Sequence, residues 1–187
     1  MEAFLVSIGT VALAEMGDRT QLLSLVLAAR YRRPWPILAG ILVATLANHA
    51  AAAWVGLEVG RFLTPAILDG VVGISMIAMA LWTLRPDTLE ATTEASTRGA
   101  FIATTICFFI AEIGDKTQIA TIALAAGYAS LLAVVAGSTS GMLAANLPVV
   151  FLGHGFAARL PMRAIHYGAA ALFMGIGALF LVRATLA

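Results

Sequence analysis

Charge is scarce in this chain. Only 11% of its 187 residues are Asp, Glu, Lys or Arg, and the formal net charge is +1, where a soluble domain carries about 25% charged residues. So little charge leaves almost no soluble part, and a balance of +1 gives no reason to expect nucleic-acid binding. Cysteine is nearly absent. Cys107 is the single one, which excludes a disulfide framework and a thiolate metal cluster and leaves a small apolar packing residue. No cleavable signal peptide is expected, because the first apolar run carries Glu15, Asp18 and Arg19 and no small-residue site closes a short hydrophobic region. Polar loops are rare as well. The longest is 85–98, where Asp87, Glu90 and Glu94 read as a solvated loop face.

What is abundant is apolar: 61% of residues are hydrophobic and the mean hydropathy is +0.96. A membrane-spanning helix takes about 20 apolar residues. Six stretches qualify, at 3–29, 35–58, 66–84, 99–126, 129–152 and 164–182. The expected fold is all-α, a polytopic membrane protein with six transmembrane helices. Loops one, three and five hold seven arginines (Arg30, Arg32, Arg33, Arg85, Arg98, Arg159, Arg163), and the other side holds two, Arg61 and Arg183. Positive loop charge stays in the cytoplasm, so the odd loops are expected inside and both termini outside.

Shifted by 97 residues, the chain aligns with itself without a gap. Glu15-Met16-Gly17-Asp18-Arg19-Thr20-Gln21 falls on Glu112-Ile113-Gly114-Asp115-Lys116-Thr117-Gln118, Leu27-Ala28-Ala29 on Leu124-Ala125-Ala126, and Tyr31 on Tyr128. Gly40 meets Gly137, His49 meets Asn146, and Gly56 meets Gly153. Each half holds three spans, an odd number, so the second half enters the membrane from the opposite side. The expected organisation is a first three-helix repeat over 1–84, a polar cytoplasmic loop over 85–98, and a second, inverted three-helix repeat over 99–187. Inverted repeats place a transporter's site near the bilayer midplane, where the halves meet.

Carboxylates in the middle of apolar spans are expensive and persist mainly where they work. On a continuous helix Glu15 and Asp18 share a face, as do Glu112 and Asp115. Should the first and fourth spans cross there, four carboxylates converge into a hard, oxygen-rich site suited to calcium, manganese or magnesium and poor for copper(I). Gly17 and Gly114 weaken the helix and allow close packing. Thr20, Thr117, Gln21 and Gln118 can add neutral oxygens. Arg19 and Lys116 stand four residues after each Glu, the favourable order for a pair within the helix. Four carboxylates and two cations sum to −2, which one divalent ion would neutralise. Burial and like-charge crowding make a carboxylate hold a proton more readily, so protons can take the metal's place. The competing reading is a Glu–Arg packing clasp without transport, which the duplication in register argues against.

Among the other polar residues, His49 and Asn146 suit either oriented support for the carboxylates or plain packing. Asn48 lies beside His49 in the second span. Ser138-Thr139-Ser140-Gly141 reads as small-residue helix packing, and Pro148 as a kink or local opening. His154 and His166 read as interfacial. Trp35, Trp54 and Trp82 read as interface or lipid-facing anchors, and Glu58, Arg61 and Asp69 as solvated loop charge.

The two Glu-x-Gly-Asp-[Lys/Arg]-Thr words in a pair of three-span halves resemble a family that includes Golgi calcium/manganese transporters of eukaryotes and MneA-type manganese exporters of bacteria. The likeness covers nearly the whole chain, with the motif at 15–20 and 112–117. It implies export of Mn2+ and/or Ca2+ from the cytosol in exchange for H+, with Glu15, Asp18, Glu112 and Asp115 as metal-binding acids and no cofactor. The chain resembles the compact bacterial members, which implies an inner-membrane protein among lipid, with a divalent metal as its ligand. An exporter of another substrate such as an amino acid, a divalent-cation channel and a purely structural membrane subunit are the alternatives. An enzyme is not expected, for want of a nucleophile–base arrangement.

Overall fold

A computed structural model of the protein describes residues 1–84, 99–152 and 161–186. The loop 85–98, with Arg85, Asp87, Glu90, Glu94 and Arg98, lies outside the described residues, as do Gly153, His154 and Arg159. The described residues form eight helices: α1 (Glu2–Glu15), α2 (Arg19–Tyr31), α3 (Pro34–Phe62), α4 (Pro65–Thr83), α5 (Ala100–Glu112), α6 (Lys116–Tyr128), α7 (Leu131–Leu152) and α8 (Met162–Leu186). Four of them, α3, α4, α7 and α8, are long and apolar enough to cross a membrane. The apolar stretches 3–29 and 99–126 are each divided into two helices of 13 or 14 residues. At 1.5 Å per residue these reach about 20 Å, short of a hydrocarbon core of about 30 Å.

The division has a local cause. Gly17 and Gly114 adopt φ of 82° and 74°, a left-handed conformation that glycine reaches without strain. The residues before them, Met16 and Ile113, are extended. Asp18 and Asp115 then start the next helices as N-caps. The two breaks match in hydrogen bonding: Asp18 N donates to Glu15 O and Asp115 N to Glu112 O, both at 3.1 Å. One helix later the likeness recurs, since α2 and α6 end in left-handed residues, Arg32 and Ala129, at φ of 51° and 49°.

Helices of one half pack on helices of the other. α1 and α2 lie against α7, α5 and α6 lie against α3, and α4 packs on α8. Glycines set how closely. A Cβ at Gly40 would stand 2.9 Å from Phe101 O and 2.8 Å from Thr104 Cβ, and one at Gly137 would stand 2.5 Å from Phe4 O and 2.8 Å from Ser7 Cβ. Those four neighbours are themselves related by 97 positions. Gly141, from the small-residue run, seats against the backbone of Ile8 and Ala12. Pro148 lies inside α7, which continues to Leu152.

Phe108, Phe173, Phe180, Ile37, Ile41 and Met76 fill the interior. Large apolar side chains also face outward, among them Ile74, Leu132, Leu179 and all three tryptophans, as a lipid-facing surface requires. Glu58 and Arg61 pair at 2.7 Å on the exposed end of α3. Asp69 departs from expectation. It is buried within α4 rather than in a solvated loop, and Arg183 Nε lies 3.3 Å from its Oδ2. The α4–α8 packing supplies a partner that sequence distance hid.

Candidate metal centre

Glu15 and Glu112 are the last residues of α1 and α5, and Asp18 and Asp115 precede the first residues of α2 and α6. Glu and Asp of one motif therefore do not share a continuous helix face. The glycine turn separates them and redirects the chain. Gln21 and Gln118 hold that turn together. Gly17 N donates to Gln21 Oε1 and Gly114 N to Gln118 Oε1, both at 2.8 Å. The Asp115 carboxylate in turn accepts from Thr117 N at 3.4 Å. At α6 this is a variant of the capping box, in which an N-cap acid and a Gln three residues on satisfy orphan backbone donors. Gln21 also donates to Ala145 O at 2.9 Å, tying the first break to α7.

The cations do not pair within their own motifs. Arg19 Nη2 lies 2.7 Å from Asp115 Oδ1, and Lys116 Nζ lies 2.5 Å from Asp18 Oδ1. The exchange is reciprocal across the two motifs, and it replaces the expected Glu15–Arg19 and Glu112–Lys116 pairs. Each cation is the first residue of a new helix, beyond the break that ends the helix carrying its own motif's Glu.

Glu15, Asp18 and Asp115 each offer a carboxylate oxygen within 4.8 Å of the others, and all three are buried. Thr20 Oγ1 donates to Glu15 Oε2 and lies 3.5 Å from Asp18 Oδ2, while Thr117 Oγ1 lies 3.3 Å from Asp115 Oδ2. Glu112 stands outside the triad. Its oxygens accept from Thr45 Oγ1 at 2.7 Å and Asn48 Nδ2 at 3.4 Å, both on α3. Glu15 keeps Oε1 without a hydrogen-bond partner among the described residues. The two motifs are thus alike in backbone and unlike in side-chain company, because Met142 and Ala145 occupy the α7 positions that match Thr45 and Asn48.

Asn146 accepts from Ser24 Oγ at 2.5 Å and donates to Met142 O at 3.0 Å, joining α2 to α7. His49 is fully buried, with no partner for either ring nitrogen among the described residues. Sequence reasoning passed over Thr45 and Ser24. The only signal was a hydroxyl placed among apolar neighbours. The break itself had one, an Asp-x-x-Gln word directly after glycine.

Three buried carboxylates drawn from two helix breaks make a hard donor set with spare oxygens. Such a set suits a divalent cation. A divalent ion placed there also offsets the crowding of like charges.

A sequence profile described as "Divalent cation/proton antiporter GDT1" matches residues 3–91 and 100–187. A protein of Vibrio cholerae serotype O1 (strain ATCC 39541 / Classical Ogawa 395 / O395), named "Putative manganese exporter", is 54% identical over 175 residues, covering 93% of this chain and 88% of its own length. No solved structure matches.

Proposed function

Because the chain belongs to the GDT1 family of divalent cation/proton antiporters, we propose that it exports Mn2+ from the cytoplasm in exchange for H+, with Ca2+ as a second cargo. The observation that carries this reading is the meeting of Glu15, Asp18 and Asp115 within 4.8 Å in the protein interior. Acids from both motifs face one another there, beyond the reach of bulk water. Glu112 completes the acidic set from its post on Thr45 and Asn48. The manganese named for the Vibrio relative favours that ion here.

In this proposal α1–α2 and α5–α6 each cross the bilayer as a broken helix, which with α3, α4, α7 and α8 makes six spans. Residues 1–84 and 99–187 are inverted repeats, joined by the cytoplasmic loop 85–98. The odd loops face the cytoplasm of a bacterial inner membrane, and both termini lie outside. Discontinuous helices in inverted repeats mark transporter ion sites, and the reciprocal packing of α1–α2 on α7 and α5–α6 on α3 supports that arrangement. Metal and protons occupy the same carboxylates in turn as one repeat moves against the other.

Proteoliposomes test it, with Mn2+ movement and internal pH recorded together. Mn2+ flux should drive opposite H+ flux, and Glu15→Gln and Asp115→Asn should abolish both. Full Mn2+ transport by a carboxylate variant would remove these residues from the site. Mn2+ flux without proton movement would make the protein a channel.

A further inference from the structure

We propose that Lys116 is a built-in counter-cation that competes with the transported metal for Asp18 and so sets how tightly the site holds its cargo. This rests on the reading of the acidic triad as the metal site. Lys116 is the only lysine in the chain. It is 3% exposed, and its ammonium touches Asp18, a member of the triad. Arg19 stands at the matching position of the other motif but is 39% exposed on Asp115. By sequence offset the two pairs are equivalent, and by burial they are not.

That difference decides which cation obstructs the site. The Arg19 guanidinium can turn to solvent and leave the Asp115 oxygens to a metal. Lys116 has no such exit. It is a compact point charge on a flexible four-carbon stem, and it already sits on a carboxylate of the triad. A divalent ion and an ammonium a few ångströms apart in a poorly screened interior repel strongly. Metal entry therefore lifts Nζ from Asp18 Oδ1, and metal departure lets it return. The cation stabilises the unloaded site and weakens the loaded one. A carrier that must release its ion on the far side needs that moderation, since a site of bare carboxylates would hold a divalent ion too long.

The experiment is Mn2+ binding by calorimetry to purified full-length protein in detergent, with wild type, Lys116→Gln, Lys116→Met and Arg19→Gln, alongside Mn2+ transport in vesicles. Both Lys116 variants should bind Mn2+ roughly tenfold tighter or more, with lower KM and slower turnover. Arg19→Gln should tighten binding less, because solvent already screens that charge. A general packing defect would weaken binding, so tighter binding is not a mark of damage. Binding no tighter than wild type in a cooperatively melting Lys116 variant overturns the proposal. Failure of both Lys116 variants to fold also overturns it, because it assigns the lysine to structure. A wild type that binds no Mn2+ sinks the metal-site reading and this inference with it, a result distinct from unchanged affinity in the variants.

Discussion

Arg19 Nη2 lies 2.7 Å from Asp115 Oδ1, across 96 positions of sequence, and Lys116 returns the exchange on Asp18. Each half of the chain thus satisfies the other's acid. This makes the centre a joint property of both motifs, since each Asp is paired with the cation of the other motif.

The two pairs should differ in what their loss does. Asp18→Asn strands the buried ammonium of Lys116, and removing one member of a buried pair is destabilising by about 3–5 kcal/mol. Asp115→Asn strands a half-exposed guanidinium, and the loss should be about 1 kcal/mol or less. Thermal or denaturant unfolding in detergent should rank Asp18→Asn well below Asp115→Asn, and equal midpoints would contradict the burial difference.

Glycine at the breaks answers to backbone conformation, not to space. Nothing lies within 4 Å of a Cβ built at Gly114, yet its φ is +74°. Gly114→Ala should therefore be destabilising by about 1–2 kcal/mol through strain alone, Gly114→Asn by less, and Gly114→Val by more. Melting of the three variants gives the order, and a well-tolerated valine would count against the left-handed turn.

Glycine in the long helices answers to space instead. Alanine at Gly137 would press 2.5 Å from Phe4 O, and alanine at Gly56 would clash with Ile122 O. A backbone carbonyl cannot rotate aside, so the helices must part, at about 1–3 kcal/mol. Both variants should melt lower than Gly70→Ala, where a Cβ meets open space.

Equivalent positions with different side chains should respond differently. Thr45→Val takes the hydroxyl from Glu112, which lies buried, and leaving such an acceptor unsatisfied costs about 1–3 kcal/mol. Met142→Leu, at the matching place on α7, conserves volume and should cost under about 1.5 kcal/mol. Unfolding midpoints compare them directly. Similar losses would mean that Glu112 does not depend on the Thr45 hydroxyl.

Much of this was legible in one dimension. Apolar runs announced helices, and an exact offset of 97 announced two related halves. The Asp-x-x-Gln word after Gly17 and Gly114 held the helix break in plain view, although a 3.6-residue period read through it suggested a continuous face. Asp69 looked like loop charge because its partner, Arg183, sits at the other end of the chain, and only α4–α8 packing joins them. Thr45 gave no sign of its hold on Glu112, since a hydroxyl in an apolar helix reads the same whether it faces a carboxylate or a neighbouring turn.

By itself the sequence determined that this is an apolar, helical chain carrying one acidic glycine-centred word twice, because composition, periodicity and repetition are properties of order along the chain. Only the tertiary structure decided that Arg19 answers Asp115, that Lys116 answers Asp18, and that three of the four acids meet while Glu112 stands apart. Those choices depend on which helix packs on which and where each break points its next residue, and direction in space is not written in spacing.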